Sequence, residues 1–313
     1  MRDIISPGGV SSMKKTLLGN SSLNVSILGL GTINFGTTTS EKDSFKIMDE
    51  YVANGGNFID TANNYAVWNG GNGSESEKTI GKWLQKNNNR SSLIIATKLG
   101  ALPQNSSNQD FSNMQGLSRT VILESVKKSL HNLKTQYIDL LYLHVDDYNT
   151  PQEETLGTLN EMIKEGLIKE IGCSNFRTWR IESARNICLK YNYKFFCAVQ
   201  QRYSYLNPTI DANFFPQVVA DQGLAEYIKW YNDLTLVAYS VLLKGQYNQK
   251  GIEKDAYKTN NNELKLNKLL DEESDPNSWV LNYVTKQFGG SVALFTTSKV
   301  NHLVSILKSD VWK

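Results

Sequence analysis

Cysteine and histidine are both scarce, with three of each in 313 residues. Cys173, Cys188 and Cys197 are odd in number, form no CxxC pair and sit in apolar surroundings, which excludes a disulfide or zinc framework and reads as three buried thiols. His131, His144 and His302 are too few and too scattered for a histidine-based metal site, so no metal is expected. An excess of charge is also lacking: 33 Lys and Arg stand against 31 Asp and Glu, and no block of like charges is long enough to track a phosphate backbone, so nucleic acid is not a partner. No stretch of about 18 uncharged apolar residues occurs, and the N-terminus lacks a charged segment followed by an apolar core. Neither membrane spanning nor secretion is therefore expected, and the setting reads as cytoplasmic.

What is present is enough apolar material for a full core, at 40% hydrophobic and 20% charged residues. The length suits either two domains of about 150 residues or one α/β barrel of about 250. Residues 1–13 show no periodicity and read as a flexible N-terminal extension, with the folded body, 14–313, starting near Lys14. From Val25 onward, short apolar runs alternate with helical-period segments, strand before helix each time. The strands are VSILGLG, NFIDTA, LIIATKLG, YIDLLYLHV, IKEIGCSN, FFCAVQQRY, LTLVAYSVL and VALFTTS. Thr150, Pro151 and Glu153 read as an N-cap, first-turn proline and capping-box acid, with Gly166 ending that helix, and Ser74 with Glu77 repeats the capping-box spacing. Ile122, Val126, Leu130 and Leu133 form an apolar helical stripe.

Eight strand-then-helix units fit a closed single-domain (β/α)8 TIM barrel better than an open doubly wound sheet. GLGTIN lacks the third glycine of a dinucleotide fingerprint, and no helix starts there. The segment KKTLLGNSSLNVS reads as an N-terminal β-hairpin, turning near Gly19 and Asn20, that closes the bottom of the barrel. Two long loops, ALPQNSSNQDFSNMQGLS and the stretch containing KGQYNQKGIEKDAYKTNNN, follow strand C-termini, the face where barrel enzymes keep their sites.

In such a barrel the polar residues that end the strands share one mouth. Asp60 ends the second strand with Tyr65 just beyond it, Lys98 the third, His144 the fourth, Ser174 and Asn175 the fifth, Gln200 the sixth, and Tyr239 with Ser240 the seventh. A phenol is a weak acid, with a pKa of about 10, and a neighbouring ammonium such as Lys98 is expected to lower it. Asp60 would hold Lys98, and neutral His144 would hydrogen-bond the substrate oxygen that Tyr65 protonates. The set suits protonation of a developing alkoxide, and no serine or cysteine stands beside a base as a nucleophile.

The segments LGLGTINFG, NFIDTANNY, ATKLG, LLYLHVDD, IGCSNF, AVQQRYSYL and VAYSVL resemble, in order and spacing, those of the aldo-keto reductase family over nearly all of the body from about Lys14 to Leu307. The resemblance implies an NAD(P)H-dependent oxidoreductase that reduces an aldehyde or ketone, with NADPH as cofactor in preference to NADH, a small-molecule carbonyl partner, and Asp60, Tyr65, Lys98 and His144 as the catalytic set. It further implies that Ser174, Asn175 and Gln200 hydrogen-bond the nicotinamide carboxamide and that Tyr239 stacks on its ring. Gly31 and Thr32, with Asp60 beneath them, fall on the ribose side. Ser240, Leu242 and Gly245 fall at the pyrophosphate, and Ser298, Lys299 and His302 at the adenosine 2′-phosphate. The chain departs from the family at Val241, often Pro, and at His302, Ser305 and Ile306, often Gln or Arg, Glu and Asn. Trp68 and Phe111 are candidate walls of an apolar substrate pocket. Two rival readings are a Schiff-base enzyme using Lys98 as nucleophile, and a nucleotide-sensing protein with little turnover, as in the potassium-channel β subunits of this family.

Overall fold

The computed structural model describes residues 13–67, 70–104 and 113–312. The expected flexible extension thus lies outside the described residues except for Met13, which is buried in the core.

Among the described residues ten strands form, in chain order β1 (Lys15–Leu17), β2 (Asn24–Ser26), β3 (Leu28–Gly31), β4 (Phe58–Asp60), β5 (Ile94–Leu99), β6 (Ile138–Leu143), β7 (Ile168–Ser174), β8 (Ala198–Arg202), β9 (Thr235–Tyr239) and β10 (Val292–Phe295). β1 and β2 pair antiparallel as a separate hairpin, and β3 to β10 close into a parallel (β/α)8 barrel in which β10 lies between β9 and β3. Each of the eight expected strand runs contains one barrel strand. Helices α1 (Glu41–Ala53), α2 (Glu75–Asn87), α3 (Arg119–Leu133), α4 (Gln152–Lys164), α5 (Thr178–Tyr191) and α6 (Gln222–Tyr231) are the crossovers, and α7 (Asn260–Glu272) and α8 (Pro276–Thr285) both lie between β9 and β10. Helix α9 (Val300–Leu307) follows β10.

The two-residue period of a strand explains both layers of the core. Outward positions such as Ile59, Ile95, Leu141, Ile171, Val199 and Leu236 join the apolar faces of the helices in one continuous cluster. On α3, Ile122, Val126 and Leu133 are buried in that cluster and Leu130 packs half-buried against it, as the stripe predicts. Inward positions form a second cluster of Phe58, Ala96, Leu140, Tyr142, Ala198, Val237, Val292 and Leu294. Gly172 belongs to this inner layer because a β-carbon there would stand 2.6 Å from the Tyr142 ring.

The hairpin closes the lower end of that inner layer. Leu18, Leu23 and Val25 pack into the same cluster, while Gly19 N donates to Thr235 Oγ1 at 2.8 Å and Asn20 N to the Asp233 carbonyl at 3.1 Å. Gly19 has φ +48°, and a β-carbon would lie 2.3 Å from the Asp233 oxygen, so this turn needs glycine on two counts.

The helix starts differ from the sequence reading. Ser74 makes no side-chain cap on α2; the Glu75 carboxylate instead accepts the amides of Asn72 at 2.7 Å and Gly73 at 2.9 Å. Glu77 turns away from the helix start into the core, where Thr97 Oγ1 donates to it at 2.6 Å and Asn132 Nδ2 at 3.0 Å. Thr150 donates to Asp147 Oδ2 at 2.7 Å rather than capping α4, although Gly166, with φ +75°, ends that helix as expected. All three cysteines are free and buried, with burial pushing the Cys188 thiol up to about 11 and Cys197 up to about 12.

The hairpin's role as a plug has a measurable consequence. Leu18→Ala empties a fully buried site and should cost about 2–5 kcal/mol in urea unfolding. Leu17→Ala, next to it but half-exposed, should stay within about 0.5 kcal/mol.

Candidate active site

The polar mouth is the continuation of the inner layer by one strand period. Phe58 is followed two positions on by Asp60, Ala96 by Lys98, Tyr142 by His144, Gly172 by Ser174, Ala198 by Gln200 and Val237 by Tyr239, so these side chains converge above the apolar floor. Tyr65 reaches the same place from the turn after β4, whose backbone pairs Tyr65 with Ser74.

Lys98 is the hub. Its Nζ donates to Asp60 Oδ1 at 2.5 Å, to the Thr61 carbonyl at 2.7 Å and to the Tyr65 hydroxyl at 2.9 Å, with Lys98 and Asp60 wholly buried. Gln200 Nε2 donates to the other Asp60 oxygen at 2.8 Å. With three acceptors the ammonium spends all its protons, which suits a fixed charge and not the free amine of a Schiff-base nucleophile. Burial pushes the Lys98 ammonium down from its usual range and Asp60 opposes that shift.

The phenol does not titrate as the sequence suggests. Burial first, and then the charge of Asp60, push Tyr65 well above the ordinary tyrosine value, so the hydroxyl keeps its proton. Lys98 does not reverse this, because its nearest acceptor is the Asp60 carboxylate, which also lies 3.4 Å from the Tyr65 hydroxyl. His144 stands edge-on to Tyr65, ring centroids 6.2 Å apart. Burial, with the Lys98 charge beside it, holds the imidazole well below its usual value and therefore neutral, and its buried Nδ1 has no partner among the described residues. A phenol with its proton, a fixed ammonium and an unpartnered neutral imidazole can together meet an oxygen that gains negative charge.

The expected nicotinamide residues lie side by side beyond this set. Asn175 Nδ2 donates to the His144 carbonyl at 2.9 Å and to Ser174 Oγ at 3.1 Å, and Asn175 Oδ1 accepts from the Tyr239 hydroxyl at 2.7 Å. Thr32 is fully buried and spends its hydroxyl on the Asp60 carbonyl and Ser76. Gly31 lies beside Thr296. After β9 the chain turns through left-handed residues at Ser240, Leu243, Lys244 and Gly245. The amides of Leu243 and Gly245 are spent on backbone carbonyls, whereas those of Leu242 and Lys244 have no acceptor among the described residues, and amides left without an acceptor suit an anion. Ser298, Lys299 and His302 are all exposed, at the start of α9. A half-buried ring at Tyr239, a cluster of amides and a cationic far end fit a phosphate-bearing dinucleotide.

Trp68 and Phe111 lie outside the described residues. Sequence reasoning missed the loop 203–221 after β8, which with the loops after β5, β6 and β7 walls a cleft of about 920 Å3 beside Asn175. The signal was present: aromatic Phe214 and Phe215 in a polar stretch with no helical or strand period. Among the described residues no group of His, Cys, Asp and Glu is placed to hold a metal ion, and no helix is long and apolar enough to cross a membrane.

A closed barrel with an acid, a fixed cation and a neutral imidazole at its C-terminal mouth is the architecture of a carbonyl-handling barrel enzyme. The Aldo/keto reductase family profile matches residues 27–310, and the chain belongs to that family of NAD(P)H-dependent oxidoreductases. It is 35% identical over 245 residues to an uncharacterized oxidoreductase, YrpG, of Bacillus subtilis, the match covering 78% of this chain and 71% of that protein. It is 30% identical over 226 residues to an aryl-alcohol dehydrogenase of Pestalotiopsis microspora, covering 70% of this chain but only 57% of that protein. Among solved structures, an aldo-keto reductase of Bacillus halodurans in its holo form superposes with a TM-score of 0.74 at 25% identity, covering 95% of this chain and 90% of that one.

Because the native state resists protonating His144, the unfolded chain takes up that proton first as the pH falls. This contribution to stability is complete above about pH 6.5 and is lost below it, by up to about 1.4 kcal/mol per pH unit. Urea unfolding at a series of pH values should therefore show a steeper acid decline for the wild type than for His144→Gln.

Proposed function

We propose that this protein reduces an aldehyde or ketone to the alcohol with NADP(H), NADPH being preferred to NADH. The observation that carries the reading is the buried Asp60, Lys98 and Tyr65 chain with the neutral His144 beside it, whose Nδ1 has no partner among the described residues.

The substrate oxygen would sit between the Tyr65 hydroxyl and the His144 imidazole. A bound nicotinamide supplies the hydride for the carbonyl carbon. As charge develops on the oxygen, His144 donates a hydrogen bond and Tyr65 gives up its proton. Lys98, 2.9 Å from the Tyr65 oxygen, stabilises the phenolate left behind, and Asp60 holds Lys98 and Gln200 in place. Burial of Asp60, Tyr65 and Lys98 keeps water from competing for these bonds.

Ser174, Asn175, Gln200 and Tyr239 would hold the nicotinamide, with Gly31 and Thr32 on its ribose side. Ser240, Leu242 and Gly245 would hold the pyrophosphate, and Ser298, Lys299 and His302 the 2′-phosphate. The amides of Leu242 and Lys244, which have no acceptor among the described residues, and the exposed Lys299 support these assignments. Three free thiols accord with a reducing, cytoplasmic setting.

Replacing Tyr65 with Phe should lower carbonyl reduction by about 10²–10⁴-fold, followed by nicotinamide absorbance, while NADPH quenching of protein fluorescence remains. A variant that keeps its activity would refute Tyr65 as the acid. Lys299→Ala should raise the KM for NADPH by about tenfold and leave that for NADH nearly unchanged.

A further inference from the structure

The first turn of α2 is buried against the outside of the barrel, where the strands that carry Asp60 and Lys98 end. Ser76 Oγ donates to the Thr32 carbonyl at 2.9 Å, and the hydroxyls of Thr32 and Thr61 each stand 2.8 Å from it. Thr61 is the residue whose carbonyl takes one proton of Lys98. Next along the helix, Glu77 accepts from Thr97 Oγ1 at 2.6 Å and from Asn132 Nδ2 at 3.0 Å. Thr97 precedes Lys98 in β5, and successive residues of a strand face opposite ways, so a single strand of backbone separates the Glu77 carboxylate from the Lys98 side chain.

Glu77 is wholly buried, and no cation lies within ion-pair distance of it among the described residues. Ser129 and Lys128 of α3 are the other polar groups that face it. Burial pushes its carboxyl up from the usual range, while the bonds from Asn132, Thr97 and Ser129 pull the other way. The fold itself has no use for a charge here. A glutamine has the same length and shape, and a threonine hydroxyl accepts as readily as it donates, so the bonds would survive without the cost of burying an anion. On the inner side of the wall Lys98 meets Asp60, Tyr65, Tyr142 and His144. Burial draws the proton off Lys98; Asp60 opposes this first, and Glu77 is the other carboxylate that opposes it.

We infer that Glu77 is a second counter-ion of Lys98, a positioning residue that acts through the barrel wall and keeps the ammonium charged while Tyr65 gives up its proton. Asp60 alone serves this purpose poorly, because it lies 3.4 Å from the Tyr65 hydroxyl and so opposes the phenolate as well as supporting the ammonium. An anion behind the strand holds the Lys98 proton without competing for a hydrogen bond in the site. The role in turnover rests on the carbonyl-reduction reading; the coupling of the two charges does not.

The test uses the full chain with Glu77→Gln, which keeps the shape and removes the charge, and Glu77→Asp, which keeps the charge and draws back from Thr97. Two quantities are followed across the neutral and alkaline range. One is the titration midpoint of Lys98 in the free protein, read by carbon-13 NMR of lysines labelled at the ε-carbon. Lys98 is the one wholly buried lysine among the described residues, so its signal is the one that a paramagnetic agent in the solvent leaves sharp. The other is the alkaline limb of kcat for NADPH reduction of 4-nitrobenzaldehyde. Removing an anion makes the ammonium easier to deprotonate, so in Glu77→Gln both the midpoint and the limb should move to lower pH, by about half a unit or more. Glu77→Asp should stay near the wild type on both, whereas a role in bonding alone predicts the opposite order. A Lys98 that titrates alike in the wild type and Glu77→Gln, or keeps its proton throughout in both, overturns the inference. If Glu77→Gln does not fold, Glu77→Asp decides: a wild-type midpoint supports the coupling, and a fallen one overturns it. A wild type that reduces no carbonyl sinks the reduction reading, and the Lys98 midpoint then still decides whether the two charges are coupled.

Discussion

Everything at the mouth of this barrel depends on one buried ammonium. Taking a lysine out of water is costly, and the structure offsets that cost with a carboxylate, a carbonyl and a hydroxyl, one for each proton of Lys98. This arrangement fixes the neighbours as firmly as it fixes the lysine. Asp60 is committed on one oxygen to Lys98 and on the other to Gln200, and Tyr65 is tied to both ends of the ion pair. The position of the phenol is therefore set by the buried ion pair beneath it.

The barrel makes this possible through alternation. Successive inward positions pass from Phe58, Ala96 and Tyr142, which fill the interior, to Asp60, Lys98 and His144, which line the mouth. The apolar floor desolvates the polar layer above it, and that burial is the first cause of every shifted ionisation at the site. The hairpin completes the effect from below by placing Leu18, Leu23 and Val25 where water would otherwise enter the barrel. Stability at the bottom and chemistry at the top are thus consequences of the same two-residue period.

Around this rigid centre the loops carry what is particular to the chain. Three of them supply the exposed Tyr148, Ile210, Phe215 and Arg177 of the cleft, none of which contributes to the inner core. The barrel scaffold accounts for the family likeness, whereas loops of this kind vary more freely than the strands that carry them.

The sequence by itself determined the strand order, the single barrel, the plugging hairpin and the convergence of Asp60, Lys98, His144, Ser174, Asn175, Gln200 and Tyr239. All of these follow from local periodicity and from the rule that strand ends share a mouth. It misread the capping boxes, because Ser74 with Glu77 and Thr150 with Glu153 show the right spacing while Glu77 has a buried partner in Thr97 and Thr150 donates to Asp147. It also expected Lys98 to lower the Tyr65 ionisation, and only the tertiary structure showed Asp60 drawing that charge away and burial raising the phenol instead. The cleft beside Asn175 was likewise decided in three dimensions. Spacing along a chain fixes which face a residue occupies, whereas desolvation and the pairing of charges depend on neighbours distant in sequence, as Gln200 is from Asp60.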